Sequence, residues 1–128
     1  MVQRMAPDEG FQLLLGMVRD PQFGPLVVLG FGGIYVEVLK DTTTRLAPVD
    51  PAEALLMIRE LRMAPALEGA RGMPAADLAA LADTISRFSW LAAAADELAE
   101  IEINPLAAGT AGTRALDVRA IRRERPTP

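Results

Sequence analysis

Cysteine and histidine are both absent from the 128 residues, and lysine occurs once, at Lys40. Without cysteine the chain can form neither disulfides nor thiolate metal sites, a composition that fits the cytoplasm. Without histidine it has no imidazole for acid–base work, for ligating a metal or for carrying a phosphoryl group. No run of about eighteen apolar residues is free of charge, so no membrane span is expected. The opening Met1 to Glu9 carries no apolar segment of the signal-peptide kind. Thirteen basic against seventeen acidic side chains leave a net charge of −4, which gives no general reason to expect nucleic acid. Five arginines between Arg114 and Arg125 make the tail locally basic, and a solvated tail accounts for them. The twelve arginines against one lysine, like the alanine-rich helices, reflect genomic composition.

What is present suffices for an ordinary core: 51% of the residues are apolar, in a length that suits one domain or part of one. The first part reads as β. Phe11 to Val18 is largely apolar, interrupted by Gly16, and Arg19 to Pro25 reads as a turn containing Pro21, Gly24 and Pro25. Leu26–Leu29 and Ile34–Leu39 read as strands on either side of Gly30, Gly32 and Gly33. Lys40-Asp41 reads as a turn, and Thr42 to Ala47 as a fourth strand.

Helices follow. Asp50 offers an N-cap, Pro51 a first helical position and Glu53 an acidic residue three places after the cap. Ala54, Leu55, Ile58 and Leu61 make the apolar stripe, and Pro65 is expected to stop the helix. A second helix, with Leu78, Leu81, Ile85 and Phe88 on its buried side, is expected to end near Ala95. A final hairpin near 99–106 and 114–120 returns the chain to β. This order argues for an α+β fold, a largely antiparallel sheet with two main helices on one face.

The most informative stretch is Glu102-Ile103-Asn104-Pro105-Leu106, followed by Leu116-Asp117. Alternation puts Glu102 and Asn104 on one side of a strand and Ile101 and Ile103 on the other. If 107–113 is the hairpin loop, pairing that buries Ile101, Ile103, Leu116 and Val118 together leaves Glu102, Asn104 and Asp117 on a shared polar face. Two carboxylates and an amide carbonyl are hard oxygen donors, suited to half of a magnesium site completed by substrate phosphates. On spacing alone, a solvated hairpin face accounts for the same residues. Pro105 restricts Asn104 to extended geometry, which holds the amide in place.

Other positions read more plainly. The Gly30/Gly32/Gly33 stretch precedes a strand and matches neither a P-loop nor a dinucleotide fingerprint, so a turn or bulge explains it locally, and phosphate approach is the alternative. Arg19 and Arg45 read as surface arginines, and Asp20 as a turn residue. Glu37 is either exposed or aimed at a site. Met57, Met63 and Met73 read as core or loop filler, and Trp90 as packing.

Together, "GFQLLLGMVRDPQFGPLVVLGFGGIYVEVLKD", "RLAPVDPAEALLMI", "EGARGMPAADLAAL", "EIEINPL" and "ALDVRA" resemble, in order from Gly10 to Ala120, the nucleotide-binding β-subunit region of NDP-forming acyl-CoA synthetases. These are relatives of succinyl-CoA synthetase with the ATP-grasp fold. The resemblance implies that acyl-CoA, phosphate and ADP interconvert with a carboxylic acid, CoA and ATP through an acyl phosphate and a phosphohistidine. It implies Asn104 and Asp117 as magnesium ligands, Glu102 as the glutamate facing the phosphohistidine, and Gly32 and Gly33 as a glycine loop near the phosphate path. ATP or ADP and Mg²⁺ are the implied cofactors.

The resemblance further makes 1–120 the C-terminal subdomain of an ATP-grasp domain, with 121–128 as a disordered tail. The chain is expected to start near the adenine-side hinge, Val2 to Met5, and to need the preceding subdomain and the CoA-binding and phosphohistidine domains as partners. Alone it is expected to be inactive. Gln12 departs from the family's usual glutamate, which fits a second reading as a regulatory ATP-grasp module fused to an acetyltransferase. A third is a ligand-free dimerisation domain, since a missing subdomain leaves apolar surface exposed.

Overall fold

Ten residues, Phe11–Asp20, form β1, and it turns through Pro21, Gln22 and Phe23 into β2, Gly24–Phe31. The computed structural model describes residues 10–31, 41–69, 72 and 74–124. Arg19, Asp20, Gly24 and Pro25, expected in the turn, belong instead to the paired strands, Arg19 opposite Pro25 and Asp20 opposite Gly24. Asp20 does act as a turn residue: its carboxylate accepts the N–H groups of Gln22 and Phe23 at 2.7 and 2.9 Å. Gly30 lies inside β2 and does not end it. A Cβ there would meet the Thr42 methyl at 2.8 Å, so close approach of the next strand explains the glycine. Gly32, Gly33 and the expected strand Ile34–Leu39 lie outside the described residues.

The third strand, β3, is Thr42–Leu46. Asp41 just before it is no turn residue; it is buried at 5% exposure. Its two oxygens accept the N–H groups of Arg62 at 2.6 Å and Met63 at 2.9 Å, tying the strand to the chain beyond the first helix. Asp41→Ala strands two amides that a carboxylate now satisfies. It is expected to cost about 2–3 kcal/mol in urea unfolding, with the slope of the transition unchanged.

Helix α1, Pro51–Glu60, starts as the sequence indicates, with Asp50 accepting the Glu53 N–H at 2.8 Å. Glu53 does not fold back on the cap. Its carboxylate meets Arg45 at 2.6 Å, and Glu60 takes another nitrogen of the same guanidinium, so Arg45 is an anchored link between β3 and α1. Pro65 does not stop this helix, which ends at Glu60; it opens a short second one, α2, Ala64–Leu67. Helix α3, Leu78–Ala94, buries Leu81, Ile85 and Phe88, with Leu78 partly buried beside them. Trp90, expected in the packing, is 61% exposed; the adjacent Ser89 is inside instead, accepting the Val49 N–H at 2.9 Å.

Strand β4, Leu98–Gly109, is the long central strand. The chain then returns as β5, Gly112–Ala115, and β6, Val118–Arg122. The six strands of the described residues form one antiparallel sheet in the order β3-β2-β1-β4-β5, with β6 beside the first half of β4. The expected loop 107–113 is only a two-residue turn, Thr110-Ala111, because Gly109 pairs with Gly112, whose φ of 123° suits the turn. Beyond β6 the Arg123 N–H donates to Glu97, so ordered pairing reaches into the segment expected as a tail.

One face of the sheet carries the core. Leu13, Leu15, Met17, Val27, Leu29, Ile101, Leu106 and Ala108 pack with Ala54, Ile58, Leu81 and Ile85 of the helices. Each large apolar side chain so buried stabilises the fold by about 1.5–3 kcal/mol. No helix covers the other face among the described residues.

Candidate nucleotide site

The pairing of β1 with β4 contains the feature that builds the site. Leu13 lies opposite Leu106 and Leu15 opposite Ile103, so Leu14 faces two residues, Asn104 and Pro105. This is a β-bulge, and the Asn104–Pro105 peptide within it is cis. The extra residue inverts the alternation midway along β4. Ile101 and Ile103 before it, and Leu106 and Ala108 after it, all turn to the helices. Glu100, Glu102 and Asn104 fall on the open face.

On the other side of β4 the register is unbroken. It runs from Gly109 opposite Gly112, through Leu106 opposite Ala115, to Ile103 opposite Val118. Asn104 therefore falls opposite Asp117, and its N–H donates to the Asp117 carbonyl at 3.0 Å. The Leu116 N–H donates in turn to the Pro105 carbonyl at 3.1 Å. Main-chain bonds thus clamp the two donor residues side by side while both side chains remain exposed. The expected joint burial of Ile101, Ile103, Leu116 and Val118 does not occur: Val118 is 58% exposed on β6, which among the described residues pairs with β4 alone.

Glu102, with 38% of its side chain exposed, lies two residues before Asn104 and directly opposite Arg119. The Arg119 guanidinium approaches its carboxylate at 4.0 Å. Beside them is an open concavity of ≈ 220 Å³ whose lining includes Leu14, Val18, Val28, Glu100 and Glu102. Gly16, which stands between Val28 and Glu102 in the register, is among its lining residues. Glycine leaves that position of the row without a side chain.

Three of the sequence-predicted residues are therefore on one patch: Glu102, Asn104 and Asp117. Gly32, Gly33 and Glu37 lie outside the described residues. Gln12 is exposed near the end of the same sheet, opposite Ala107. Arg19 is far from a surface arginine: it donates to the carbonyls of Leu98, Ala92 and Ala95 at 2.9, 3.1 and 2.7 Å. Arg119 and Gly16 were not indicated by sequence reasoning as site residues. The signal was there for Arg119, two positions after Asp117.

The ATP-grasp domain family matches residues 1–121, and the chain belongs to that family. Subunit beta of ADP-forming acetate–CoA ligase I from Pyrococcus furiosus is 46% identical over 121 residues, 94% of this chain and 52% of the relative. ADP-forming acetate–CoA ligase I from Archaeoglobus fulgidus is 43% identical over 121 residues, 94% of this chain and 18% of that protein. A solved structure of acetyl-coenzyme A synthetase 1 from Ca. Korarchaeum cryptofilum has a TM-score of 0.86 at 38% identity, covering 89% of this chain and 54% of that one. That protein is in complex with coenzyme A and Mg-AMPPCP, its phosphohistidine segment pointing towards the nucleotide-binding site. The chain thus spans about half the length of the first of these relatives, or less. The expected ATP-grasp fold and family resemblance are borne out. Among the described residues no helix is long and apolar enough to cross a membrane.

Proposed function

We propose that this chain is the magnesium- and nucleotide-binding wall of an ADP-forming acyl-CoA synthetase, an acid–thiol ligase. The observation that carries the reading is the register that sets Asn104 opposite Asp117, with Glu102 two residues away on the same open face. An amide oxygen and a carboxylate are the hard donors magnesium takes, and two protein ligands leave room for water and phosphate oxygens. Magnesium, when bound, offsets charge on the nucleotide phosphates. Asn104 and Asp117 would hold it, and their main-chain clamp fixes where they point. Glu102 faces the imidazole of the phosphohistidine segment supplied by another domain. Its carboxylate holds one ring N–H, so that the other nitrogen is aimed at phosphorus. Relatives named as ADP-forming ligases, and a neighbour binding Mg-AMPPCP, support this reading. Coenzyme A and the carboxylic acid are handled by the remainder of the ligase.

Isothermal titration of Mg-ATP into the chain assembled with the rest of the ligase tests it. Asn104→Ala with Asp117→Ala is expected to weaken magnesium-dependent ATP binding by about tenfold or more. Unchanged binding and unchanged phosphohistidine formation would remove the assignment.

A further inference from the structure

We infer that Arg119 is a phosphate-contacting residue of the nucleotide site, holding the phosphoryl group in the hollow over Gly16. The inference rests on the nucleotide-site reading above and deepens it. Val28, Gly16, Glu102 and Arg119 form a single row across four strands, each opposite the next. Within that row the side chain is missing only at Gly16, so the open space is flanked by Val28 and the Glu102 carboxylate, and the Arg119 guanidinium reaches its lining from the next strand. Arg119 and Glu102 both line the concavity.

Charge balance points the same way. Glu100 and Glu102 line the hollow and Asp117 stands two residues before Arg119, so one bound divalent cation leaves a polyphosphate facing excess negative charge. Arg19 and Arg45 are committed to carbonyls at the end of α3 and to Glu53 and Glu60, and among the described basic residues Arg119 is the one that lines the hollow. Arg119 is free to respond. Its side chain is 71% exposed and its approach to Glu102, at 4.0 Å, is at the outer limit of an ion pair. Such a contact contributes little to stability, and it leaves most of the guanidinium's five donors for phosphate oxygens.

During transfer the terminal P–O bond of ATP breaks with its electrons going to ADP, while an imidazole nitrogen lone pair forms the new P–N bond. Arg119 exchanges no proton and no electron. It offsets charge on the three equatorial oxygens, and returns to Glu102 when the phosphoryl group leaves.

The test compares Arg119→Gln and Arg119→Lys with the Asn104→Ala/Asp117→Ala pair in the assembled ligase, titrated with Mg-ATP, Mg-tripolyphosphate and AMP. Arg119→Gln is expected to weaken Mg-ATP and Mg-tripolyphosphate by roughly 10- to 100-fold and to leave AMP unchanged, with lysine restoring part of the loss. A merely structural role would move AMP as well, or would lower the melting temperature. If Arg119→Gln binds both magnesium complexes like wild type while the Asn104/Asp117 variant does not, the inference is overturned and the nucleotide site stands. If all variants bind alike, both fall.

Discussion

Glu102→Gln in the assembled ligase is expected to slow phosphoryl transfer between nucleotide and histidine by roughly 10²- to 10⁴-fold, while Mg-ATP affinity changes little. Glutamine keeps the shape and one acceptor oxygen of the side chain but loses its charge. On the proposed reading, the imidazole facing Glu102 gains positive character as its nitrogen attacks phosphorus, so the lost charge would be felt in the transition state and scarcely in nucleotide binding. The substitution also dissolves the Arg119 contact, which at 4.0 Å between exposed groups holds the fold by little. An unchanged melting temperature with a collapsed rate, followed by rapid quench with labelled ATP, is the expected pattern. A rate within threefold of wild type would mean that Glu102 is only a solvated edge of the sheet.

The largest stability effect is expected at Arg19. Arg19→Met retains much of the apolar stem but removes donors to the carbonyls of Leu98, Ala92 and Ala95. Ala92 and Ala95 lie at the C-terminal turn of α3, where carbonyls lack helical partners and the helix dipole favours a cation. Three carbonyls losing a charged donor at a half-buried place should cost about 2–4 kcal/mol in urea unfolding. Arg19→Lys should recover only part, because an ammonium cannot span the two directions that the planar guanidinium reaches. A loss below about 0.5 kcal/mol, the usual range for an ordinary surface change, would show that water replaces the guanidinium adequately.

How far the sequence could be read depended on whether the partner of a residue was local. Helices α1 and α3 were legible because their apolar spacing and the Asp50 cap are written within a few residues. Strand alternation was enough to put Glu102, Asn104 and Asp117 on one face. Arg19 and Asp41 were not legible, since their partners lie 73–79 and 21–22 residues away and a polar residue beside a turn motif looks ordinary. The shortness of the hairpin turn is not legible, because clustered glycine and threonine suggest a turn throughout, whereas Gly109 and Gly112 are paired. Gly16 looked like an interruption of an apolar strand. Its meaning appears only once Val28 and Glu102 are known to flank it, and alternation within one strand says nothing about which strand lies alongside.

The odd residue count at Asn104–Pro105 has an evolutionary corollary. Both halves of β4 send their apolar residues to the same helices, with Asn104 at the seam between the halves and Asp117 across from it. Under the proposed function, a change at 104 or 117 would alter the ion or phosphate preferred without repacking the interior on either side of the seam. Selection for chemistry and selection for folding would act here on separate letters of the sequence.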